Sequence, residues 1–86
     1  MSELLFIDKR RLRHEDILED IIGILRRFQG EWLSKGFIAK QYYRGLREGY
    51  IRHYIKPETL YRYLRRLAEE GKILSNKRGY YKFRTF

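Results

Sequence analysis

Apolar residues recur at helical spacing in three places along this chain. Ile17, Leu18, Ile21, Ile22, Leu25 and Phe28 form the first stripe, and recurrence at steps of three and four marks one face of an α-helix. Glu15 and Asp16 stand in its first turn and Arg26 and Arg27 in its last, each sign matching the end of the helix dipole it occupies. The pattern predicts a helix over residues 14–28, ended by Gly30. A shorter helix is expected over residues 40–48, with Tyr43 and Leu46 inward and Gly49 as its stop. The third stripe, Leu60, Leu64 and Leu67, is the cleanest. Pro57 suits the first turn of that helix, where a missing N–H costs nothing, Glu58 complements the positive end of its dipole, and Gly71 ends it.

Between and after these stripes the period changes. Phe37-Ile38-Ala39 reads as a very short strand. Residues 72–75 and 80–84 are strand-like, and Asn76-Lys77-Arg78-Gly79 between them is a basic turn, so a β-hairpin is expected. Residues 49–56 are long for a tight turn, and Tyr50, Ile51, Tyr54 and Ile55 are expected to pack partly against the core. Leu4-Leu5-Phe6-Ile7 is a short apolar run that reads either as a strand or as an extension of the first helix.

Composition narrows the class. Eighty-six residues with 43% hydrophobic content support a single small domain, here divided into an N-terminal segment, 1–13, and a core domain, 14–86. No run of about 18 apolar residues occurs and no secretory signal pattern opens the chain, so an intracellular, cytoplasmic protein is expected. The absence of cysteine leaves no disulfide and no thiolate metal site, and only His14 and His53 are available as imidazole ligands; neither metal nor cofactor is expected.

The formal charge of +9 is unevenly spread. Residues 1–43 carry 8 Lys/Arg against 7 Asp/Glu, whereas residues 44–86 carry 12 against 4. Clustered cations of this kind bind phosphates through Coulomb attraction and counterion release. Nucleic acid is favoured over a membrane surface because the basic segments lack an apolar face that is not already needed for the core.

Arginines on the outside of an amphipathic helix are, taken alone, ordinary solvated surface. Here they follow two helices and precede a basic hairpin. The order of helix, short strand, helix, helix, strand, basic turn, strand resembles the winged helix-turn-helix family. The resemblance is carried by Ile38-Ala39-Lys40, by the run from Pro57 through Leu60, Leu64 and Leu67 to Gly71-Lys72-Ile73, and by the hairpin from Asn76 to Tyr81. It covers residues 14–84 and is specific for fold and weak for subfamily. In size, and in its single Asn, two Gln, single Met and absent Cys, the chain also looks like small winged-helix transcriptional regulators of hyperthermophilic archaea and their viruses. The implied fold is mainly α, a three-helix core with a β-hairpin wing, and the implied partner is duplex DNA.

In that family the third helix enters the major groove, whose width of about 12 Å admits one helix. Lys56, Glu58, Thr59, Tyr61, Arg62, Arg65 and Arg66 are the expected contacts on it, with Thr59, Arg62 and Arg66 on roughly one outward strip and Arg62 the leading base reader. Asn76, Lys77 and Arg78 form the expected wing contact with the adjacent minor groove or backbone, and Lys40, Arg44 and Arg47 are expected phosphate clamps. Tyr61 reads equally as core edge and as phosphate contact, and Tyr63 leans inward. The chain departs from the family at Lys56, where a capping Ser or Thr often stands, and in the long connection before it.

Because palindrome-reading proteins present two reading helices, a homodimer is expected, with Leu4, Leu5, Phe6 and Ile7 and part of the first helix at the interface; packing of the same segment on its own core is the nearly equal alternative. Eight tyrosines raise the thought of nucleophilic strand transfer, but such chemistry needs a supporting Arg/His cluster and usually a longer chain, and no Gly-rich phosphate loop, metal-spaced His pair or paired-carboxylate motif is visible, so no enzyme is expected. No small-molecule ligand is expected either. A winged-helix protein-interaction module in a replication or transcription complex, and a nonspecific DNA-packaging protein, are the rival functions.

Overall fold

Helix α1 spans Ser2–Arg27, β1 Leu33–Ser34, α2 Lys35–Glu48, α3 Pro57–Glu69, β2 Ile73–Ser75 and β3 Tyr80–Phe83. The computed structural model describes the backbone of residues 2–84 and the side chains of residues 13–84. The architecture is mainly helical, three helices with a small antiparallel sheet of order β1-β3-β2. Leu33 pairs with Tyr81 and Ser34 with Tyr80, while Ile73, Leu74 and Ser75 pair with Phe83, Lys82 and Tyr81.

Among the described residues of α1, Ile17, Ile21, Ile24 and Leu25 are buried, and Leu18, Ile22 and Phe28 pack beside them half-buried. The helix does not begin at residue 14. It runs unbroken from Ser2, so residues 4–7 continue α1 rather than form a strand. The side chains of Leu4, Leu5, Phe6 and Ile7 lie outside the described residues, and with them the expected dimer contact.

The short strand expected at 37–39 is instead the first part of α2. Ser34 decides this: in an extended conformation, its side-chain oxygen accepts a hydrogen bond from the Phe37 N–H at 3.1 Å, a cap that satisfies an otherwise orphan donor and starts a helix. Ile38, Ala39, Tyr42 and Gly45 then fall on one buried face. Tyr43 and Leu46, expected as the inward pair, are half-buried at its edge. The strand that does form, Leu33–Ser34, ends on the capping residue itself and is recruited by β3. Gly49 ends α2 with φ 87°, the left-handed conformation that a side chain disfavours.

Leu60, Leu64 and Leu67 of α3 are fully buried and close the core with Tyr42, Ile55 and Ile73. Burial of each leucine contributes about 1.5–3 kcal/mol. Between α2 and α3, Ile51 and Ile55 are buried as expected, but Tyr50 and Tyr54 are not: they are 67% and 62% exposed. The two isoleucines take the inward positions, while the two tyrosines face outward.

Two tyrosines fix this connection. Tyr42 donates its hydroxyl to the His53 carbonyl and Tyr43 donates to the Ile55 carbonyl, each at 2.6 Å. Burial pushes both hydroxyls above the ordinary tyrosine pKa, so they remain donors. His53 Nε2 lies 3.2 Å from Asp16 Oδ2, tying the same stretch to α1. The long connection is therefore held at three points, and it delivers α3 in a fixed orientation.

Candidate nucleic-acid interface

The outer surface of α3 follows from its buried stripe. With Leu60, Leu64 and Leu67 inward, a turn of 100° per residue puts Glu58, Arg62, Arg65 and Glu69 opposite the core, and all four are exposed. Thr59 and Arg66 lie on one flank of that apex, together with Tyr63; Tyr61 lies on the other. Thr59, Arg62 and Arg66 thus share a face, but one that turns toward α1. They line a cleft with Tyr63 and His14.

On the Tyr61 flank sits Lys35, a residue that sequence patterning does not single out. Its ammonium lies 4.9 Å from the centre of the Tyr61 ring, within cation–π range. Its backbone N–H donates to the Gly79 carbonyl at 3.2 Å. The start of α2, the hairpin tip and the exposed side of α3 therefore meet at one residue.

Within the tip, Asn76 builds the turn. Its side-chain oxygen accepts from the Arg78 N–H at 2.9 Å and the Tyr80 N–H at 3.0 Å, and its own N–H donates to the Tyr80 carbonyl at 3.0 Å. This is the local side-chain-to-backbone bonding that asparagine favours in turns. Gly79 completes the turn with φ 80°. Lys77 and Arg78 are left exposed. At the base of the hairpin Lys82 lies 5.5 Å from the Trp32 ring centre and Arg26 5.5 Å from that of Phe83, so these two cations cover aromatic surface.

The structure does not bring all expected cations together. Lys40 and Arg47 are exposed opposite the α2 core face. Arg44 bonds Glu48 at 2.9 Å, an interaction that raises its pKa, and it lines the groove between α1 and α2 with Glu19, Asp20 and Arg27, away from the hairpin. Arg66 bonds Glu70 through Nε at 3.3 Å, and Lys72 also approaches Glu70, at 3.5 Å. Lys56 stands at the N-cap of α3 without a side-chain hydrogen bond to the helix, as its chemistry requires.

Among the described residues no group of three or more His, Asp or Glu could hold a metal ion, and no helix is long and apolar enough to cross a membrane. No protein-family model, no curated protein and no solved structure matches the chain.

Proposed function

We propose that the chain is a winged helix-turn-helix protein that binds duplex DNA sequence-specifically and regulates transcription. The observation that carries this reading is the junction at Lys35. One residue bonds the hairpin turn through its N–H and meets α3 through its ammonium. The hairpin turn is thereby set beside the Tyr61 flank of α3, the placement that a protein gripping a groove and the flanking backbone together requires.

In this reading α3 lies in the major groove. Arg65 at the apex and Arg62 beside it address base edges, where a guanidinium pairs with guanine through two hydrogen bonds. Glu58 beside them disfavours some bases and accepts from cytosine. Lys77 and Arg78 reach the adjacent minor groove or its phosphates, while Lys40, Arg47 and Lys56 contact phosphates that set register without carrying sequence. Lys35 and Tyr61 hold the space between α3 and the wing. No group in this arrangement performs chemistry on the nucleic acid. A symmetric dimer joined through the N-terminal part of α1 would present two copies of α3 to two half-sites.

The test is binding to random and to selected duplexes across a range of salt. A regulator retains a large preference for selected sequences at salt that abolishes nonspecific binding. A preference that vanishes with salt would assign the protein to DNA packaging, and no duplex binding at low salt would sink the reading.

A further inference from the structure

His14 of α1 and Thr59, Arg62, Tyr63 and Arg66 of α3 line a cleft of about 330 Å³ beside the α3 apex. A hollow of about 240 Å³ shares His14, Thr59 and Tyr63 with it and continues along α1 past Arg13 and Ile17. Every side chain lining the cleft is a hydrogen-bond donor or can become one: two guanidiniums, one imidazole and two hydroxyls. None is acidic. His14 Nδ1 and the Tyr63 hydroxyl are 3.1 Å apart, and their rings lie 5.2 Å apart at 48°, so α1 and α3 are joined at this point.

Arg62 has no hydrogen-bond or ion-pair partner among the described residues. Arg66 spends Nε on Glu70 and keeps its terminal nitrogens for another acceptor; its side chain is 60% exposed. We infer that this cleft is an oxyanion site that takes a phosphoryl group. A planar carboxylate is satisfied by one guanidinium edge-on, whereas donors converging from two helices suit an anion with oxygens in several directions. A phosphoryl group offers three or more such oxygens, attached to DNA or to a small phosphorylated molecule. The DNA source rests on the proposed function; the phosphoryl site itself does not.

The experiment titrates the full chain with inorganic phosphate in the absence of DNA, at constant ionic strength against chloride, and follows backbone amide and arginine Nε resonances. The site predicts saturable shifts at His14, Thr59, Arg62, Tyr63 and Arg66 with Lys77 and Arg78 unmoved. Arg66→Gln, a solvent-facing change that leaves the core intact, weakens phosphate binding about tenfold, while Arg27→Gln, in the groove between α1 and α2, leaves it unchanged. Duplex binding then identifies the source. If a DNA phosphate fills the cleft, Arg66→Gln weakens all sequences alike and lowers the salt slope by about 1. If duplex affinity is unaffected, or the protein binds no duplex at all, a small phosphorylated molecule is the ligand. Shifts spread evenly over the cationic surface, or phosphate affinity unaltered in Arg66→Gln, would overturn the assignment.

Discussion

Gly45 sits buried in α2 where Ile51, on the connection to α3, packs directly on the helix. A Cβ at this position would stand 2.6 Å from Ile51 Cδ1 and 2.9 Å from Cγ1, closer than any carbon contact allows. Alanine is otherwise preferred to glycine inside a helix by about 1 kcal/mol, and overpacking costs about 1–3 kcal/mol. Gly45→Ala is therefore predicted to lower the melting temperature despite its better helix propensity, and Ile51→Val in the same chain, which removes Cδ1 and keeps a γ-carbon, to recover only part of the loss. Asp20 gives a second test. Burial raises its pKa above 3.8, with Asp16 adding to the rise and Arg52 and His53 opposing it. The native carboxyl then holds its proton more tightly than the unfolded one, so stability falls as pH rises through that interval. Asp20→Asn should melt higher than the parent protein near neutral pH, with the difference shrinking as the pH falls through the raised native pKa toward 3.8 and lost below it. A gap independent of pH would remove the burial account.

At the scale of elements, the hairpin depends on one side chain. Asn76→Ala removes the acceptor for the Arg78 and Tyr80 N–H groups. Faster hydrogen exchange at those two amides is expected, with a global stability loss of about 1 kcal/mol; unchanged exchange would mean that the turn is held by Gly79 and strand pairing alone. The helices and the hairpin were legible because their signals are local: the leucine spacing of α3, the stripe of α1, the glycines at 49 and 79. Phe37-Ile38-Ala39 misleads because three apolar residues fit a strand and a helix equally, and the deciding cap, Ser34, stands outside the run. Strand β1 is invisible for another reason. It has two residues, and only β3 at the far end of the chain makes them a strand.

Across the whole molecule, the candidate surface was legible as charge and illegible as arrangement. The arginines of α3 and the cations of the hairpin stand out in a C-terminal half with 12 Lys/Arg against 4 Asp/Glu. Lys35 and His14 do not, because each acquires its role from a contact between distant elements: Lys35 from Gly79 and Tyr61, His14 from Tyr63. Those contacts divide the cations by position. Arg65 stands at the apex, Arg62 lies between Arg65 and the cleft toward α1, which it lines with Arg66, and Arg44 is removed to the α1–α2 groove. The proposal that α3 reads sequence while the wing supplies phosphate affinity is tested most directly by base-by-base binding profiles of Arg62→Ala and Lys77→Ala on a selected duplex. Arg62→Ala is predicted to lose about 1–3 kcal/mol of discrimination at one base position, and Lys77→Ala to weaken all sequences similarly. An Arg62→Ala protein with an unaltered profile would contradict the account.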